Sequence, residues 1–173
     1  MIVGRPLFTV EQIQKRVREL ADEISRDYAG RELLVVSLLK GAFMFTSDLV
    51  RAIRVPVTLD FISTSSYSET ETSGKVKIHC ELRSEVKGKD VLIIEDIADT
   101  GITLDFIKRR LSDLGPRSLK ICAFLDKKER RLKDIALDYV GFEIPNEYVV
   151  GYGLDYDDRF RNLPYIAVFK KTA

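Results

Sequence analysis

The sequence predicts an α/β fold in which a mostly parallel sheet is flanked by helices, and three observations carry the prediction. The run "VLII" in "VLIIED" is wholly apolar, as expected of a strand buried on both faces. Short β-rich runs alternate along the chain with segments of helical spacing, the pattern of right-handed parallel crossovers. The chain has 173 residues, which suits one core and leaves little room for two. One domain over residues 1–173 is therefore expected.

The elements follow in order. "FTVEQIQKRVRELADEI" places Val10, Ile13, Val17, Leu20, Ala21 and Ile24 on one helical face, and Thr9 with Gln12 forms a capping-box pattern at its start. "ELLVVSLLKG" and "VTLDFIS" read as strands joined by a helix over "AFMFTSDLVRAI". Residues 65–74, "SSYSETETSG", are almost free of apolar side chains and read as a long exposed loop of the kind that often closes a site. "KVKIHCEL" alternates, with Val76, Ile78, Cys80 and Leu82 inward and Lys75, Lys77, His79 and Glu81 outward. After "VLIIED", "TLDFIKRRLSDLG" reads as a helix closed by Gly115 and Pro116. "SLKICAFLDKK", "YVGFEI", "YVVGYGL" and "YIAVF" supply the remaining strands.

Composition narrows the function classes. With 28 basic and 27 acidic residues the net charge is +1, which offers no electrostatic basis for broad nucleic-acid binding. No apolar run reaches the roughly 18 residues that span a bilayer, so no membrane partner is expected. The N-terminus lacks the basic segment and apolar core of an export signal, and a cytoplasmic location is expected. Cys80 and Cys122 fit neither zinc spacing nor a disulfide framework, and both read as free, buried thiols. His79, the only histidine, receives no role.

Residues 91–104, "VLIIEDIADTGITL", end a buried strand with Glu95, Asp96 and Asp99 and start a helix with Thr100, Gly101 and Thr103. In open parallel sheets ligands collect at such carboxyl ends. Backbone N–H groups at a helix start cradle phosphate, whereas carboxylates accept from hydroxyls or hold a cation. A phosphorylated ribose satisfies both. The residues alone leave a second reading open, in which Asp99 or Thr100 caps the helix and the other acids are solvated.

This segment resembles the phosphoribosyl pyrophosphate signature of the type I phosphoribosyltransferases. "LLKGAFMF", "STSSYSETETSG", "FLDKK" and "VGFEIPNEYVVGYGLDYDDRFRNLPYI" resemble the hypoxanthine-guanine branch of that family, in the expected order and over nearly the whole chain. The resemblance implies a single phosphoribosyltransferase domain with a twisted sheet and a small hood built from the N- and C-terminal segments. It implies a purine salvage transferase that moves 5-phosphoribosyl from phosphoribosyl pyrophosphate to hypoxanthine or guanine, giving IMP or GMP and pyrophosphate. It further implies Mg2+, a cytoplasmic homodimer or homotetramer, and no nucleic-acid partner.

Residue by residue, the resemblance assigns the ribose and its 5-phosphate to Glu95, Asp96, Ile97, Ala98, Asp99, Thr100, Gly101, Ile102 and Thr103. Asp99 matches the general base at the purine, or the group that orients and charges that base. Leu39, Lys40 and Gly41 match a pyrophosphate loop with a cis peptide between Leu39 and Lys40, and Arg161 matches a second pyrophosphate ligand. Ser66 and Tyr67 match the lid. Lys127, Tyr148, Val149 and Asp155 match the purine site, with Lys128 one position away as a competitor for Lys127. Asp155, Glu95 and Asp96 match metal ligands. Ala98 stands where relatives carry a larger aliphatic residue, and Ser68 where many carry glycine.

Two other readings bear on the same residues. A regulator of this fold could sense phosphoribosyl pyrophosphate while binding nucleic acid, since fold alone does not fix function. It should show a basic face and lack base-reading groups, whereas Lys127, Tyr148 and Asp155 are all present. A phosphoacceptor receiver using Asp96 or Asp99 is opposed by the "LKG" turn and the extra C-terminal strands.

Overall fold

The computed structural model describes residues 2–66 and 76–170, of which residues 2, 3, 65 and 66 by their backbone alone. The elements run β1 (Ile2–Phe8), α1 (Val10–Asp27), β2 (Leu33–Leu39), α2 (Phe43–Ala52), β3 (Val57–Ser66), β4 (Val76–Cys80), β5 (Asp90–Ala98), α3 (Ile102–Ser112), β6 (Ser118–Asp126), β7 (Tyr139–Glu143), β8 (Val149–Val150) and β9 (Ile166–Lys170). A six-stranded sheet has the order β4-β3-β2-β5-β6-β7, parallel throughout except for the β3/β4 pair. A second, antiparallel sheet of order β1-β9-β8 forms the hood from the two ends of the chain.

The large sheet is covered on both faces, and the strands show why their sequences lack alternation. In β2, Leu33 and Val35 enter one core with the buried stripes of α1 and α2, while Leu34, Val36 and Leu38 enter the other beneath α3. In β5, Leu92 and Ile94 go to the first core, and Val91 and Ile93 to the second. The first core also takes Val149, Tyr152, Leu154 and Ile166, so hood and sheet share one packed interior.

Most local expectations hold. Thr9 Oγ1 accepts from the Gln12 amide at 3.3 Å while Gln12 Oε1 accepts from the Thr9 amide at 2.8 Å, which makes the capping box reciprocal. Of the expected α1 face only Val10 is exposed, because it is the helix's first residue. Gly115, at φ +70°, ends the turn after α3 in the left-handed region as its sequence position suggests.

Four details differ. The sequence reading contained no β1. "VLIIED" does not stop at Asp96: β5 runs two residues further, and Ala98 still pairs with Asp126. Of "YVVGYGL" only Val149 and Val150 are strand, since Gly151 and Gly153 at φ +99° turn the chain away. Cys80 is exposed, not buried, because it ends the edge strand β4 beyond a register shift; Cys122 is buried as expected. Among the described residues no helix is long and apolar enough to cross a membrane.

Candidate active site

Parallel pairing brings the carboxyl ends of β2, β5 and β6 side by side, and the candidate residues follow from those ends. After β2, the peptide bond between Leu39 and Lys40 is cis, as the resemblance implied. Gly41 comes next and packs against Asp96: a Cβ at residue 41 would stand 1.6 Å from Asp96 Oδ2, so a larger residue would displace that carboxylate. The hood closes on the same turn, since a Cβ on Gly153 would lie 2.2 Å from the Gly41 carbonyl oxygen. Glycine at both positions lets backbone, carboxylate and hood meet within van der Waals contact.

Glu95 and Asp96 are half-buried neighbours at the end of β5. Burial pushes the Glu95 carboxyl well above the usual range, and the adjacent Asp96 charge adds to it. Burial raises Asp96 as well, while hydrogen bonds and the Arg161 charge act in the opposite direction. Two partly buried carboxylates side by side favour hydroxyl donors or a cation.

Beyond them the chain turns into α3 with no side-chain cap. Gly101 is the N-cap at φ +80°, and the Thr100 hydroxyl reaches the Ile102 amide only at 3.4 Å. The reading of Asp99 as a helix cap is therefore set aside. Its carboxylate instead holds Arg130 through Oδ2 at 3.3 Å, and Oδ1 is buried without a hydrogen-bond partner among the described residues. Beside this first turn lies a depression of about 70 Å³ lined by Glu95, Ile97, Asp99, Thr100, Gly101, Thr103 and Leu104, and a helix start is where phosphate is ordinarily held.

After β6, Lys127 is 5% exposed, and its amide donates to Ala98 O at 3.0 Å, placing it beside the end of β5. Lys128 points elsewhere and pairs with Glu143. The two lysines that the sequence could not separate thus have different surroundings.

The hood supplies the remaining groups. Arg161 donates to Gly153 O at 2.8 Å and pairs with Asp155 at 2.7 Å and Asp158 at 3.1 Å; Asp158 also pairs with Lys40 at 3.2 Å. The two cations matched to pyrophosphate therefore meet through one carboxylate. The Tyr148 ring is 53% exposed, held by its hydroxyl donating to Asp155 O at 3.1 Å and by an edge contact with Tyr156. Val149 is buried beside it in β8.

No group of three or more metal-ligating side chains occurs among the described residues. Asp155 therefore does not join Glu95 and Asp96 in one cluster. Ser66 is described only as the backbone end of β3, and Tyr67 lies outside the described residues.

Sequence reasoning missed Gly153, Asp158, Arg130, Arg131 and Asp126. The doubled glycine of "VGYGL" was a usable signal of close backbone approach. The run "KKERR" was not, because such runs are ordinarily solvated.

The family model of the phosphoribosyl transferase domain matches residues 7–157. The chain is 47% identical over 167 residues to a hypoxanthine-guanine phosphoribosyltransferase of Mycobacterium bovis, covering 92% of this chain and 83% of that one. It is 45% identical over 169 residues to the Bacillus subtilis protein of the same name, covering 97% and 94%. A solved hypoxanthine-guanine phosphoribosyltransferase from Bacillus anthracis superposes with a TM-score of 0.94 at 47% identity, covering 98% of this chain and all of that one.

Proposed function

The chain belongs to the phosphoribosyl transferase family and is a purine salvage transferase of the hypoxanthine-guanine kind; from that premise we propose how its residues carry the reaction. The observation that carries the proposal is the junction of two adjacent half-buried carboxylates with a helix start that no side chain caps. Hydroxyls fit the first and phosphate the second, and a 5-phosphoribosyl group presents both.

Glu95 and Asp96 accept from the ribose hydroxyls, and the turn 99–103 wraps the 5-phosphate. Lys40, Gly41 and Arg161 hold the pyrophosphate. In the reaction the bond from the anomeric carbon to pyrophosphate breaks and a bond to a purine ring nitrogen forms. Negative charge beside the ribose stabilises the cationic character that develops at the anomeric carbon. Asp99 takes the proton that the purine gives up, or holds the purine so that its attacking nitrogen is charged. The buried, unpartnered Oδ1 of Asp99 supports that role, since such an atom has an acceptor site to offer.

Lys127 reads the 6-position. An ammonium only donates, so it accommodates a 6-oxo group and leaves the 6-amino group of adenine without an acceptor. Tyr148 stacks on the purine and Val149 offers backbone groups to its edge. Glu95 with Asp96, and Asp155 apart from them, would each offer carboxylate oxygens to Mg2+, which supplies neutralising charge for the diphosphate when bound. Ser66 and Tyr67 belong to the lid that excludes water. A cytoplasmic homodimer or homotetramer is the assembly proposed.

Pyrophosphate release tests the reading, measured with hypoxanthine, guanine and adenine in turn, with and without Mg2+. Release with the two 6-oxopurines, little with adenine and none after chelation is expected. Equal release with adenine would remove the role given to Lys127.

A further inference from the structure

We propose that Arg131 is a positioning residue for this reaction, fastening the turn that carries Asp99 to the segment that carries Lys127. The inference rests on the roles given above to those two residues. A guanidinium has five donors in a fixed fork, and here it makes four hydrogen bonds to four acceptors. Nε donates to Asp99 O at 3.1 Å, Nη1 to Ile135 O at 3.3 Å, and Nη2 to Ala98 O at 3.3 Å and to the Asp126 carboxylate. The pair is withdrawn from water, with side-chain exposures of 16% for Arg131 and 5% for Asp126.

Three of the four acceptors belong to the site, and Ile135 O anchors the arginine within its own loop. Ala98 and Asp99 join the end of β5 to the phosphate turn, and Asp126 immediately precedes Lys127 at the end of β6. The residues after Arg131 extend the grip: the Leu132 and Lys133 amides donate to Thr100 O at 2.9 and 3.0 Å. Gly101 allows the approach, because a Cβ there would meet Lys133 O at 2.9 Å and Arg131 Cδ at 3.0 Å. Arg131 therefore sets the spacing between the proposed proton acceptor and the proposed 6-position donor, and misplacement by about 1 Å can cost on the order of 10²-fold in rate. Lysine cannot substitute, since a single ammonium lacks the planar fork.

The test compares Arg131→Ala, Arg131→Lys and Asp126→Asn with the unmodified chain. The readouts are kcat and KM for hypoxanthine, the hypoxanthine-to-adenine selectivity, and the melting temperature. Arg131→Ala should lower kcat/KM for hypoxanthine roughly 10²-fold and narrow the selectivity, with part of the loss restored by guanidinium ion far below denaturing concentration. Arg131→Lys should recover little. A lowered melting temperature with unchanged selectivity and kcat/KM overturns the proposal and leaves Arg131 a stabilising residue only. Should Arg131→Ala not fold, Asp126→Asn decides: selectivity narrowed in the same direction supports the proposal, and unchanged selectivity overturns it. Full activity in both Asp99→Asn and Lys127→Ala would instead refute the roles on which the inference rests. Their loss of activity beside an undisturbed Arg131→Ala would refute the inference alone.

Discussion

Asp99 has one oxygen tied to Arg130 and the other buried and open, so its replacement separates proton transfer from shape. Asp99→Asn should lower kcat by roughly 10²-fold while substrate binding survives, measured by steady-state kinetics; unchanged turnover would end its role as proton acceptor. Lys127→Ala should raise KM for hypoxanthine and guanine together and reduce discrimination against adenine, and a variant that discriminates as before would refute the donor argument. These residues could be matched in the sequence because they stand at strand ends inside specific motifs. Arg131 could not: only the fold shows that the Ala98 and Asp99 carbonyls, distant in the chain, converge on one arginine of a charge run.

At the scale of elements, legibility follows hydrophobic pattern. β5 could be read because "VLII" is buried on both faces, and α1 because its stripe and capping box agree. β1 could not be read: Gly4, Arg5 and Pro6 interrupt it, and its pairing with β9 is irregular at Pro6, where an edge position tolerates a residue without an N–H. The start of β5 carries an electrostatic pin that pattern does not reveal. Asp90, fully buried, accepts from Arg117 and from Ser118 Oγ at 2.6 Å, tying the start of β5 to its neighbour β6. Hydrogen bonding to Arg117 holds its carboxyl below the usual range despite burial. A folded pKa lowered in this way adds stability above the ordinary aspartate value, lost as pH falls through the folded value. Asp90→Asn should cost about 1–3 kcal/mol near neutral pH, with the deficit shrinking below about pH 4. A deficit that stays constant with pH in denaturant titrations would show that charge plays no part.

The molecule as a whole behaves, on this account, as one cooperative unit. Val149 and Ile166 of the second sheet, with Tyr152 and Leu154 of the segment between its strands, share a core with Val35, Leu92 and Phe45 of the main layers. Urea unfolding followed by tyrosine fluorescence and by far-ultraviolet circular dichroism should therefore give coincident transitions, and an earlier loss of the tyrosine signal would indicate a hood that folds apart from the sheet. The sequence showed the alternation of strands and helices and so the sheet's class. It did not show which strand ends would adjoin, because that is set by pairing between distant segments.

In a crystal structure with a bound purine nucleotide, the ribose hydroxyls should lie on Glu95 and Asp96, the 5-phosphate against the first turn of α3, and the 6-oxygen on the Lys127 ammonium. A nucleotide bound elsewhere, or turned so that its phosphate faces the hood, would contradict this placement.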